Sequence, residues 1–283
     1  MSWASIEASA YWAVFSAALL GVALWEMYCP WRSVSTQLGR RWRNHALLVT
    51  TSTVITALIF RASLVAVAAG AANNKFGLLN RSWIPLAAKW ILALVLLDLL
   101  SYGLHYASHS VRLLWKVHQV HHSDPDYDLS TGVRNHPLET LLVQAVTAGT
   151  IVILAAPPAA ILAAQLVGML FGFFTHANAK LPPWIEKGVR MIFVTPEMHR
   201  VHHSDELRDQ NANLGEIFPW WDHLFGTYVE TPLAGLERMR VGLKGLQSPA
   251  SAGFLFLLTL PFRRDATEQV TMPEPLSARV AGD

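Results

Sequence analysis

Residues 83–109 read WIPLAAKWILALVLLDLLSYGLHYASH. The apolar part, residues 83–102, has the roughly 20-residue length a helix needs to cross the hydrocarbon core of a bilayer. It carries one acidic residue, Asp98, and is followed at once by His105 and His109. Residues four apart share a helix face, so both imidazoles can point at one ion. Following that face backward gives Tyr102 and then Asp98, nearer the membrane centre. An acidic side chain inside an apolar helix is costly unless paired, and ligating imidazoles commonly donate their second N–H to a carboxylate. Asp98 is therefore the candidate acceptor for His105 or His109.

Working outward, the chain repeats the membrane signature. It has 283 residues, of which 52% are hydrophobic and 15% charged, and its mean hydropathy is +0.30. That is too apolar for an ordinary soluble domain. Residues 9–29 form a first apolar run, with no basic residue before it and no small-residue cleavage site after it, so it reads as a spanning helix and not a cleaved signal peptide. Arg32, Arg40, Arg41 and Arg43 follow, then a second apolar run, residues 46–69, interrupted by Arg61. Excess Lys and Arg mark cytoplasmic loops, which puts the 32–43 loop in the cytoplasm and the 71–82 linker on the far side. Residues 83–102 then return the chain to the cytoplasm. Beyond the polar, histidine-rich 105–140 region, residues 141–174 are apolar but broken by Pro157 and Pro158, which reads as a helical hairpin. Its even number of crossings brings His176 back to the side of His105. A second histidine region, 177–250, follows. Residues 252–262 are apolar but too short to span and suit the interface, and residues 263–283 read as a loosely ordered tail. The expected fold is all-α: an integral membrane protein with about four transmembrane helices, the hairpin included, under a cytosolic histidine-rich helical cap.

Charge and cysteine narrow the chemistry. The net charge is +2 and the basic residues form no stripe, which argues against nucleic acid as a partner. A single cysteine, Cys29, forms no internal disulfide and no thiolate cluster, and reads as a small buried apolar residue. Any metal must then be held by nitrogen or oxygen.

Eight of the twelve histidines fall in three groups: His105 and His109; His118, His121 and His122; His199, His202 and His203. In a helical turn, positions i, i+3 and i+4 face one way, so each HxxHH group offers three nitrogens from one surface. Eight imidazoles exceed the needs of one ion and argue for two adjacent metals. An all-nitrogen site suits iron, zinc, copper or nickel and not calcium or magnesium. Clustered imidazoles have little packing value of their own, and protonated they would repel. His136 and His176, at the cytoplasmic ends of the hairpin, can complete the shell. His45 and His223 read as interfacial or surface side chains. Glu139, Glu197 and Asp222 are candidates for proton delivery or for orienting a ligand, and each reads equally well as a solvated charge.

The order HxxxH, HxxHH, His136-Pro137, His176-Ala177-Asn178, HxxHH and then Trp221-Asp222-His223-Leu224-Phe225-Gly226-Thr227 resembles the fatty acid hydroxylase or sterol desaturase superfamily. Residues 118–126 and 195–204 look like its bacterial branch. The likeness is close over residues 98–228. It implies two iron ions, O2 and two electrons from an external donor, with His105, His109, His118, His121, His122, His199, His202, His203 and also His136 and His176 as ligands. Asp98 and Glu197 are the carboxylates carried forward as catalytic candidates. No fused cytochrome b5 domain is visible, which implies a separate electron-transfer protein as partner. The Arg279-Val-Ala-Gly-Asp283 ending fits a bacterial inner membrane better than an endoplasmic-reticulum retrieval signal. The expected reaction is hydroxylation or desaturation of a lipid or sterol-like substrate drawn from the bilayer, since cleaving an unactivated C–H bond is beyond side-chain acids and bases. Two other readings stand beside it: a zinc hydrolase, which needs fewer ligands, and a metal transporter, whose polar ligands belong near the bilayer midplane.

Overall fold

The computed structural model describes residues 3–34, 37–74 and 77–263; the expected tail beyond residue 263 lies outside them. Helices α1 (Trp3–Tyr28), α2 (Leu38–Phe60), α3 (Leu64–Asn73), α4 (Leu86–Ser110), α5 (Arg112–His122), α6 (Pro137–Leu154) and α7 (Pro158–Thr175) make up the first two thirds of the chain. Five short helices follow: α8 (Pro183–Val189), α9 (Pro196–His202), α10 (Leu207–Gln210), α11 (Trp220–Phe225) and α12 (Phe254–Thr259). Among the described residues strand pairing is limited to two isolated bridges, Pro30 with Ala179 and Ser204 with Val241. The protein is an all-helical integral membrane protein. Five segments are long and apolar enough to cross a bilayer: Ser5–Tyr28, Leu38–Asn73, Leu86–Ser110, Pro137–Leu154 and Pro158–Thr175.

The second apolar run is not one helix. Arg61 adopts a left-handed conformation with φ 54°, ends α2, and Ser63 caps α3 by accepting from the Ala66 N–H. Helix α3 then packs on α6 and α7, through Val65, Ala68, Ile151, Ala160 and Ile161, all fully buried. The proline pair does break the hairpin: α6 ends at Leu154, Ala155 turns with φ 47°, and Pro158 opens α7, where its missing N–H costs nothing. Outward positions such as Leu20, Leu58 and Ile91 are exposed, as expected for helices solvated by lipid.

Helix polarity places the histidines together. The C-terminal ends of α4 and α7 and the N-terminal end of α6 meet at one end of the bundle, where α5 packs on α4 and α6, and α9 on α7. Arg41, at the start of α2, fastens this end. Its guanidinium is buried against Asp124 (2.7 Å) and Asp128, and Arg134 reaches Asp124 at 3.1 Å. Burial alone would raise the Asp124 pKa, but Arg41 and Arg134 hold it well below the usual carboxylate range. Arg41 is thus an internal tie and not a free loop charge. His45 belongs to the same network, accepting from Arg134 and donating to the Ser130 hydroxyl at 2.9 Å, so it is a buried residue and not a surface one. Cys29 is exposed, contrary to the buried reading. Helix α12 presses Leu257 and the following Leu260 onto Leu48 and Val120 and leaves Leu255 exposed.

Candidate metal centre

Nine of the ten histidines singled out from sequence converge into two adjoining groups. Ligand atoms of His105, His109, His118, His122 and His202 lie within 4.8 Å of one another, as do those of His121, His176, His199 and His203. All are buried. The groups touch: the rings of His122 and His203 stack at 4.5 Å. Each HxxHH turn serves both groups, because His118 and His122 face one way along α5 and His121 the other; on α9, His202 parts in the same manner from His199 and His203.

The rings are oriented by the protein through one nitrogen. His105 Nδ1 donates to the Leu214 carbonyl (2.8 Å), His202 Nδ1 to the Ala212 carbonyl (3.0 Å) and His176 Nδ1 to the Gly172 carbonyl (2.7 Å). His118 Nδ1 donates to Glu139 at 2.6 Å. Each such bond fixes the tautomer and turns an Nε2 lone pair inward. The Nε2 atoms of His105 and His202 are buried with no hydrogen-bond partner, a state that is costly for a polar atom and that an ion would relieve. Other Nε2 atoms face each other at 3.1 Å (His118 and His122), 3.1 Å (His121 and His176) and 3.0 Å (His176 and His199). Nitrogens bound about 2.1 Å from one ion at a right angle sit about 3 Å apart, so these spacings match a ligand shell. Burial and neighbouring imidazoles hold His121, His122, His199 and His203 well below the ordinary histidine pKa, and burial brings His176 to about 4 and His202 to about 3. Neutral imidazole is the form that binds metal. The donor set therefore fits two transition-metal ions.

The remaining assignments divide. His136 does not join either group. Its Nδ1 accepts from the Leu138 N–H and caps α6, and its Nε2 donates to the Leu258 carbonyl, so both nitrogens are used elsewhere. Asp98 does not accept from His105 or His109; it takes the Trp221 indole N–H (2.8 Å) and the Ile217 N–H (3.2 Å). Asp222 instead organises the loop that carries the His105 acceptor, taking the N–H groups of Leu214 (2.7 Å) and Gly215 (2.9 Å) and the Thr227 hydroxyl (2.6 Å). The Trp221–Thr227 motif is thus a brace: Trp221 satisfies Asp98, Asp222 holds residues 214 and 215, and Gly226 turns the chain at φ 70°. Glu197 points away, pairing with Arg190 at 3.1 Å on a partly exposed face. His223 is exposed and stacks on Tyr228. The Asn178 that follows the lone His176 braces the 26–32 turn, exchanging bonds with the backbone of Arg32 while its own N–H donates to Glu26.

Sequence reasoning missed Glu216. It lines a cavity of about 280 Å³ walled by His105, His118, His121, His176 and His199 together with Glu139. It also lines a larger apolar cavity, about 410 Å³, bounded by Phe15, Leu19, Val49, Met169 and Phe173 between α1, α2 and α7. Gly132 and Gly172 border both spaces. Burial pushes the Glu216 carboxyl up to about 7, with Asp98 and Glu139 adding to the rise and His118 opposing it. An isolated acid in a loop has no periodicity to betray it.

An all-helical membrane bundle whose end gathers nine buried imidazoles into two groups able to bind metal has the layout of a histidine-box membrane protein. Comparison with known proteins narrows the class. The profile of the fatty acid hydroxylase family matches residues 90–227, just under half of the chain and the stretch that carries all nine imidazoles. It is 31% identical over 192 residues to the ornithine lipid hydroxylase OlsE of Rhizobium tropici, covering 68% of this chain and 55% of that protein. It is 30% identical over 141 residues to the human alkylglycerol monooxygenase, covering 49% of this chain and 30% of that one, and 29% identical over 158 residues to the zebrafish (Danio rerio) enzyme, covering 55% and 34%. The chain thus spans about half the length of the first relative and about a third of the others. No solved structure matches it.

Proposed function

We propose that the protein is an O2-dependent membrane oxygenase that hydroxylates a lipid, with two iron ions held by His105, His109, His118, His122 and His202 on one side and His121, His176, His199 and His203 on the other. Bound iron supplies the redox chemistry needed to activate O2 toward an unactivated C–H bond. The balanced reaction takes R–H, O2, two electrons and two protons to R–OH and water, the electrons coming from a separate carrier protein. Hydroxylation is favoured over desaturation because the similar proteins are named hydroxylase and monooxygenase.

One observation carries the reading: the imidazole cavity adjoins an apolar cavity that opens among the spanning helices, at a seam where Gly132 and Gly172 present no side chain. At Gly132 none is tolerated, since a Cβ there would lie 2.6 Å from the Gly172 carbonyl. An acyl chain fits the apolar space, lined by Met169 and Phe173, with the carbon to be oxidised directed toward the imidazoles. Glu139 holds the His118 ring, and the buried loop of Asp222 holds His105. The site end carries the 32–43 turn with Arg40 and Arg43 exposed, which supports a cytoplasmic placement in a bacterial inner membrane. A transporter needs ligands near the bilayer midplane, and these sit at the bundle end.

The test is expression in a bacterium lacking the gene, followed by mass spectrometry of the lipid extract. A lipid heavier by one oxygen, absent with the His199→Ala variant, is the expected result. Unchanged lipids in a strain that contains the iron-loaded protein and a working electron donor would overturn the proposal.

A further inference from the structure

Part of the imidazole chamber is walled by groups other than histidine. Helix α6 contributes Thr140, Val143 and Gln144, and the residue two before that helix, Asn135, joins them. Thr140 and Gln144 are four apart and share a helix face. Gln144 stands seven residues beyond Pro137, about 10 Å along a segment long and apolar enough to cross the bilayer. A glutamine at that depth is costly unless its amide meets a polar partner. The hydroxyls on the wall are already committed: Thr140 donates to the His136 carbonyl at 3.3 Å and Thr175 to the Phe171 carbonyl at 2.8 Å, while Glu139 holds the His118 ring. The side-chain amides of Asn135 and Gln144, both half-buried, make no hydrogen bond among the described residues. Apart from the imidazoles, they are the neutral wall groups with a donor and an acceptor both uncommitted.

Charge and size narrow what these amides can hold. No lysine or arginine lines the chamber, so nothing there pairs with a phosphate or a carboxylate, whereas a carboxamide matches a neutral group that donates and accepts, a hydroxyl or another amide. The chamber measures about 280 Å³. At roughly 30 Å³ for each water-sized group it holds about nine such groups, too few for a whole acyl chain. The tail therefore stays in the 410 Å³ apolar cavity beyond Gly132 and Gly172. That cavity follows α1 from Leu19 back to Tyr11, away from the histidine end, which is the direction in which the tail of a lipid in the adjoining leaflet points. We propose that Asn135 and Gln144 hold a neutral hydroxyl or amide of the lipid head, so that oxygen enters at a carbon within a few bonds of that group and not in the distal tail. This rests on the lipid-oxygenase reading above.

Two measurements test it. In the first, iron-loaded wild-type, Gln144→Met and Asn135→Leu proteins in detergent are titrated anaerobically with palmitamide, hexadecanol and 1-chlorohexadecane. Methionine and leucine keep close to the size of the side chains they replace and remove the amide. The polar probes are expected to lose about three- to tenfold in each variant, the worth of one neutral hydrogen bond, while the chloride stays within about twofold and iron content is unchanged. Loss for palmitamide alone or hexadecanol alone selects between the two groups and leaves the site standing. Equal losses for all three probes, no loss for any, or loss of iron would overturn the assignment. In the second, the lipid made by the wild-type protein is fragmented in the mass spectrometer to place its added oxygen. An oxygen close to a hydroxyl or amide of the head is expected, and an oxygen in the distal half of a tail would overturn this inference while leaving the oxygenase reading intact. Absence of any oxygenated lipid would instead sink the oxygenase reading on which it rests.

Discussion

His118 is held by a carboxylate where His105, His176 and His202 are held by backbone carbonyls, which makes Glu139 the strongest handle on the site. Replacing it as Glu139→Gln weakens the acceptor and should lower metal affinity by about 10- to 100-fold, read by competition against a chelator. His136 gives the opposite outcome. His136→Ala should leave iron content unchanged and cost about 1 kcal/mol in stability through the lost α6 cap, while His202→Ala should release metal. The depressed imidazoles also set a pH dependence. Unfolded histidine titrates near 6.5, whereas His176 and His202 in the fold titrate near 4 and 3, so above pH 6.5 both states are neutral and the full stability is present. As pH falls below 6.5 the unfolded chain takes up protons that the fold refuses, and stability declines down to about pH 3, where His202 also titrates in the fold. Metal-free protein should show a melting temperature that drops steadily across that window, and flat behaviour there would contradict the burial of neutral rings. The box histidines were legible because spacings of three and four leave a mark on the sequence. His136 lies beside the cluster, as its place in the sequence suggests, but spacing does not reveal that its ring turns to the helix cap, and Glu216 left no mark at all.

At the scale of elements, the bilayer-length runs and the proline break were readable because length and proline act locally. The break at Arg61 was not: an arginine in left-handed conformation has no sequence signal, and only the packing of α3 against α6 and α7 repays it. The tie between α2 and the 123–134 segment was equally hidden, since Arg41 reads as one of several loop charges. Removing it as Arg41→Ala leaves Asp124 and Asp128 buried with fewer partners and should cost about 3–5 kcal/mol, seen as a lower unfolding midpoint in mild detergent. Helix α7 invites a different change. A Cβ at Gly168 meets nothing within 4 Å, and the residue borders two of the cavities, so Gly168→Leu should fold and bind iron normally while lipid turnover falls through a narrowed passage. Unimpaired turnover would show that substrate takes another way in.

The whole molecule joins two solvents. Its helices turn leucine and isoleucine toward lipid, and its end encloses a cluster of neutral imidazoles. The sequence indicated both halves, because hydropathy and histidine spacing are independent signals, but it left the way they connect to the tertiary structure. That connection, cavity against cavity with Glu216 between, rests on two ions occupying the two imidazole groups. Elemental analysis of purified, iron-reconstituted protein measures this directly. Two iron ions per chain are expected, with His122→Ala and His121→Ala, one from each group, both reducing the count; a stoichiometry of one or none, or a count untouched by either variant, would contradict it.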